Sequence, residues 1–175
     1  VEPQWGSSVA AMPWPKDLLK AYCAEAKARG IPVVADEIMC GIGRHGQAPN
    51  GATGCFLSEC WDLPVDIITF GKAIGGGAGN LLSGAILLDG ADLLERASRT
   101  AFQSHTYAGS SARALANGKH ILGKLESGDL RRHVQAVDAA VAPIIADLCD
   151  KQGRKRVRKS QLHRLLSRSF STRFG

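Results

Sequence analysis

A lysine and an aspartate carry the chemistry this chain most plainly offers. Lys72 closes the apolar, β-branched run Val65-Asp-Ile-Ile-Thr-Phe-Gly-Lys72 and is followed at once by Ala73-Ile-Gly-Gly-Gly77. Asp36, with Glu37 beside it, ends a second apolar run, Ile31-Pro-Val-Val-Ala35. A lysine at the mouth of a buried strand is costly to desolvate unless its amine is used. Apolar surroundings lower the pKa of such an amine and make it a nucleophile toward aldehydes. A carboxylate at a neighbouring strand end pairs with a ring nitrogen and keeps it protonated. The glycines leave room for a flat ring. A solvated lysine and a turn-capping aspartate are the plain alternatives at either position taken singly.

The elements that must deliver these groups follow an α/β grammar. Pro15-Lys16-Asp17 opens a helix, with proline tolerated in the first turn. Leu18, Leu19, Tyr22, Cys23 and Ala26 recur at helical spacing until Gly30, a residue suited to end it. Val33–Ala35 reads as a short buried strand, Asp66–Phe70 as the next and 84–88 as a third, with Asp89-Gly90 turning after it. Residues 41–64 are rich in Gly, Cys and small residues and are expected to form a long surface excursion. A short helix is expected over Asp92–Arg99. Ser110 or Ser111 caps a longer one whose apolar face is Ala112, Leu115, Ala116, Ile121, Leu122 and Leu125. A last helix runs from about Asp129 to Asp150, with Pro143 as a potential kink.

Charge divides the chain. Residues 1–150 hold 13 Lys/Arg against 16 Asp/Glu, whereas 151–175 hold nine Lys/Arg and no acid, so the tail supplies the whole net +6. That tail, with its weak apolar face of Leu162, Leu165 and Leu166, is expected to be disordered or a loose helix. Its abrupt start at Lys151 suggests a frame or splice artefact ahead of a true basic arm for nucleic acid or an acidic membrane. Five cysteines form no CxxC pair, and with no secretory signal they read as reduced intracellular thiols. The compartment, cytoplasmic or mitochondrial, stays open. Cys55, Cys60 and His45 lack the second close pair that a zinc site needs, so no metal is expected. No apolar stretch reaches the roughly 20 residues that span a bilayer. The chain opens on Val1-Glu2-Pro3, which looks like the end of a strand, and is expected to be a fragment.

Three segments in order carry a resemblance over about residues 1–150. Asp36-Glu37-Ile38-Met-Cys-Gly41-Ile-Gly43-Arg44-His-Gly46 resembles the acidic-strand signature of class III, or ω-type, aminotransferases. Asp66-Ile-Ile-Thr-Phe-Gly-Lys72-Ala-Ile-Gly-Gly-Gly77 is similar to their Schiff-base lysine segment, and Ser104-His-Thr106-Tyr107-Ala-Gly109 to a downstream cofactor-binding segment. The fold this implies is α/β: part of the large domain of a fold type I transferase dependent on pyridoxal 5′-phosphate (PLP), an aspartate aminotransferase-like three-layer sandwich. The resemblance assigns the imine to Lys72, the pyridine nitrogen to Asp36, and the underside of the ring to Ile38. It sends Thr106 to the cofactor phosphate of a neighbouring subunit, hence a homodimer. Hydroxyls and free amides before a helix also suit a phosphate on physical grounds, although an ordinary Ser/Thr cap has the same composition. Glu37, pointing the other way along the pleat, takes a structural role.

Further residues fit less directly. Arg44 reads as structural and His105 as a packed histidine. Gly75-Gly-Gly77 follows its lysine, the wrong order for a nucleotide phosphate loop. The sequence also departs from the family pattern. Ser110-Ser111 stand where Asn or His then Pro is usual, the stretch from Arg44 to Asp66 is long, and no glutamate stands near Ser7, which speaks against the ornithine-type branch. The activity implied is transfer of an amino group from an amino acid or amine to a 2-oxo acid. An aminomutase or decarboxylase shares every motif quoted. An inactive truncated fragment with a basic interaction tail is the alternative of another kind; nucleic acid and membrane are not expected partners.

Overall fold

Pro15 fixes the entry to helix α1, Lys16–Ala28, and Asp17 places a carboxylate in its positive first turn. The helix ends in a Schellman motif. Gly30, at φ 68°, donates to the Lys27 carbonyl, and Ile31 donates to that of Ala26. The computed structural model describes residues 1–4, 12–45, 54–76, 82–88, 92–93, 95 and 111–151. Leu19 and Cys23 are the buried residues of α1, whereas Leu18 and Tyr22, expected on the same face, are exposed. Tyr22 instead stacks on Trp14, with ring centroids 6.4 Å apart.

Three short strands form a mixed sheet in the order β1 (Val34–Asp36), β2 (Ile67–Phe70), β3 (Gly84–Leu87). β1 and β2 run parallel with Asp36 level with Thr69, and β2 and β3 run antiparallel with Phe70 level with Gly84. Val1 extends the ladder outside β1: its amino group donates to the Val34 carbonyl and its carbonyl accepts from Asp36 N–H, both at 2.7 Å. The strand-end reading of Val1-Glu2-Pro3 matches this pairing. Gly84 answers a close approach, because a Cβ there would stand 2.7 Å from the Phe70 ring.

Ala35 and Ile68 point from the sheet into the core, where they meet Leu19, Cys23, Val33, Val65 and residues of the 40–63 region. The expected surface excursion over 41–64 is therefore corrected at every described position from 54 to 63 that carries a large apolar group. Cys55, Phe56, Leu57, Trp61 and Leu63 are buried, as are Cys40 and Ile42. Burying a side chain such as Leu or Phe stabilises by about 1.5–3 kcal/mol, so 54–63 is core despite its irregular backbone, while 46–53 of the expected excursion lie outside the described residues. It includes α2, Leu57–Cys60. The third strand departs in the opposite sense: 84–87 are exposed along β3, where a buried strand was expected.

Ser111 caps α3, Ala112–Glu126, its Oγ accepting from Ala114 N–H at 3.1 Å. The buried face of α3 is Ala114, Gly118 and Leu125 with Ile121 half-buried, while Leu115 and Leu122 of the expected face lie 54% and 44% exposed. α4, Asp129–Lys151, stays helical through Pro143. Of the helix expected over 92–99, Asp92, Leu93 and Glu95 are helical, and the rest lies outside the described residues, as does the tail from 152.

Candidate functional site

Both chemical groups singled out in the sequence come to the carboxyl ends of adjacent parallel strands, the edge where open α/β sheets bind ligands. Asp36 is the last residue of β1, and Lys72 follows β2 by two residues, opening a short 3₁₀ turn over Lys72–Gly75. The register puts Asp36 beside Thr69, three residues before the lysine. Strand spacing of about 4.8 Å keeps the two chain ends adjacent.

Lys72 has φ 43°, in the left-handed region that a residue with a Cβ enters only at a cost. Such an outlier, set between Gly71 and the buried pair Ile74 and Gly75, marks a side chain whose direction the fold dictates. Lys72 is exposed, and among the described residues its amine has no hydrogen-bond partner. Ile74 is held in turn by α3: a Cβ on Gly118 would lie 3.7 Å from Ile74 and 2.6 Å from Leu82, so the helix approaches the lysine turn closely.

Asp36 is half-buried. One carboxylate oxygen accepts from Ile38 N–H at 3.1 Å, and among the described residues the other has no partner. Ile38 turns its side chain toward Gly71, within 3.8 Å of where a Cβ would stand, and so lies against the backbone that leads into Lys72. Asp36, Ile38 and Lys72 are thus gathered at one sheet edge. Thr106 and the whole 104–109 segment, with His105, lie outside the described residues. Among the described residues, an amine and a carboxylate oxygen without hydrogen-bond partners therefore stand at neighbouring strand ends.

Glu37 leaves the opposite face. Its carboxylate is wholly buried and accepts from Leu57 N–H, Ser58 N–H and the Ser58 hydroxyl, with the Cys40 thiol at 3.7 Å. Burial pushes its carboxyl upward, and the bonds from Ser58, Leu57 and Cys40 offset part of that shift. Sequence reasoning gave Glu37 a structural role but could not name Leu57 and Ser58 as partners, which lie 20 and 21 residues downstream.

The thiols are quiet. Cys23, Cys40, Cys55 and Cys60 form no disulfide, and burial followed by the charges of Glu59 and Glu37 pushes Cys55 and Cys60 up to about 12. His45 Nδ1 lies 3.8 Å from Cys60 Sγ, and burial lowers the imidazole to about 4. Among the described residues no group of three His, Cys, Asp or Glu is arranged to hold a metal ion. No helix among them is long and apolar enough to cross a membrane.

A family model described as aminotransferase class-III matches residues 1–161. The uncharacterized aminotransferase YodT of Bacillus subtilis (strain 168) is 26% identical over 106 residues, 61% of this chain and 22% of that protein. Among solved structures, an (S)-enantioselective omega-transaminase from Thermomicrobium roseum superposes with TM-score 0.65 at 26% identity, covering 84% of this chain and 31% of its own. A PLP-bound amine transaminase from an uncultivated Pseudomonas species gives 0.67 at 26%, covering 86% and 32%. The taurine:2-oxoglutarate aminotransferase of Bifidobacterium kashiwanohense, solved with PLP and glutamate, gives 0.68 at 22%, covering 86% and 31%. The chain therefore spans about a third of the length of these solved relatives, and their fold is that of type I PLP-dependent aminotransferases.

Proposed function

The chain belongs to the class III aminotransferases, and on that footing we propose that it supplies the cofactor-holding strand ends of a transaminase, which moves an amino group from an amino acid or amine to a 2-oxo acid. The observation that carries this reading is the placement of Asp36 and Lys72 at the carboxyl ends of the parallel pair β1 and β2, each with an unengaged polar atom among the described residues. PLP, when bound, contributes an aldehyde that captures amines and a ring that draws electrons from the bond broken at the substrate carbon.

The protein's own groups divide the remaining work. Lys72 Nζ would hold the cofactor covalently and, once displaced by substrate, take and return the proton at the amine-bearing carbon. Asp36 Oδ would keep the ring nitrogen protonated, since a nearby carboxylate favours the charged form. Ile38, already against Gly71, would press on the ring and keep water from that face. Thr106 would bind the phosphate of the neighbouring subunit's cofactor, which makes the working unit a homodimer. Residues 1–150 would be part of the large domain, and 151–175 a basic tail.

The test is a spectroscopic half-reaction on the PLP-loaded chain. Addition of an amino donor should remove the visible band of bound PLP, and a 2-oxo acid should restore it. A band that binds but never responds to any amine or amino acid refutes transamination by this chain.

A further inference from the structure

Glu37 stands next to Asp36, and no step of the proposed chemistry falls to it, yet each of its polar atoms is engaged. Its N–H donates to the Thr69 carbonyl at 2.9 Å, carrying the parallel ladder one residue past β1, and its carbonyl accepts from Gly41 N–H at 2.8 Å. Its carboxylate takes the Leu57 and Ser58 amides and the Ser58 hydroxyl at the start of α2, with Cys40 alongside. Burying a carboxylate is expensive unless several donors compensate it, and here Leu57 N–H, Ser58 N–H and the Ser58 hydroxyl do so.

The benefit lies one residue earlier. Asp36 accepts a single described bond, from Ile38 N–H, which does not by itself fix the direction of its carboxylate. Successive side chains leave a strand on opposite faces. Anchoring Glu37 on the core face therefore commits Asp36 to the other face, the one level with Thr69 and leading to Lys72. Resting on the reading of Asp36 and Lys72 given above, we propose that Glu37 is a positioning residue. Clamped by Leu57, Ser58 and Cys40, its buried carboxylate fixes the end of β1 so that Asp36 meets a cationic ring nitrogen at a set distance. Glutamine cannot replace it, because one of its two terminal atoms is an NH₂ that would face amide donors.

The test compares Glu37→Gln with Glu59→Gln in the whole chain titrated with PLP. Glu59 accepts from the Cys55 and Phe56 amides at the same start of α2 but bonds nothing in β1, so it controls for loss of helix support. The readouts are the PLP dissociation constant, the pH midpoint of the visible band of bound PLP, and the thermal midpoint without cofactor. Glu37→Gln should weaken PLP about tenfold and move the pH midpoint by about one unit, as a displaced charge partner would. Glu59→Gln should lower the thermal midpoint and leave the other two in place. An unmoved pH midpoint in Glu37→Gln, or the same movement in both variants, overturns the inference while the reading of Lys72 and Asp36 stands. A wild-type chain that takes up no PLP overturns that reading and this inference with it. If Glu37→Gln does not fold, Ser58→Ala removes the hydroxyl donor alone. It should move the midpoint in the same direction by less, and no movement overturns the proposal.

Discussion

His45 makes the stability of this chain steeply dependent on pH below neutrality. Its ring is only 4% exposed, and burial takes its pKa from 6.5 to about 4. Above 6.5 the imidazole is neutral in both folded and unfolded chains and contributes nothing. As pH falls through 6.5 the unfolded chain binds a proton that the folded one refuses, so stability is lost until the folded group also titrates near 4. The difference of 2.5 pKa units, at 1.36 kcal/mol each, is about 3.4 kcal/mol in full and about 2.5 kcal/mol by roughly pH 4.5. Glu37 acts in the opposite sense. Its raised folded pKa gives stability present at low pH and lost as pH rises, so the His45 effect must be read by difference. Urea unfolding of wild type and His45→Gln at neutral pH and near pH 4.5 gives that difference. The wild type should lose about 2.5 kcal/mol more than the variant over this interval. Equal losses, within about 0.5 kcal/mol, would refute the claim that His45 is held neutral by burial.

Two further outcomes follow from the packing around the site. Gly43→Ala should destabilise the chain by about 2–4 kcal/mol in urea, because φ there is 71° and the new Cβ would meet Leu125 Cδ2 at 2.4 Å; a loss under about 1 kcal/mol would show that Leu125 yields freely. Cys60, with its thiol near 12, should be about one part in ten thousand thiolate at pH 8. Iodoacetamide should then label it slowly in the folded chain and rapidly in urea, as peptide mass mapping would show.

Much of the site could be read in the sequence because strand ends announce themselves. The expected strand Val33–Ala35 moved by one residue at both ends, so that β1 takes in Asp36, and Asp66–Phe70 moved by one at its start; Asp36 and Lys72 fell where the apolar runs stopped. Gly30 and Ser111 ended and began their helices through local chemistry that spacing alone reveals. The 41–64 region misled because glycine and cysteine resemble loop composition. What buries its described part, 54–63, is a set of non-local partners: Glu37 holding Leu57 and Ser58, and the core closing over Phe56 and Trp61. Helix α3 shows a different failure. It carries two apolar stripes, and the stripe that packs is chosen by the small residue Gly118, which admits Ile74 and Leu82, rather than by the larger Leu115 and Leu122. The left-handed backbone at Lys72 left no trace in the sequence, since no rule of composition calls for a positive φ at a lysine.

The most direct measurement of the central claim is reduction of the PLP-loaded chain with borohydride, followed by peptide mapping against a Lys72→Ala control. The account predicts a visible band and a single stable pyridoxyl label on Lys72, both lost in the control. A label spread over surface lysines and unchanged in Lys72→Ala, from a chain shown to be folded, would contradict it.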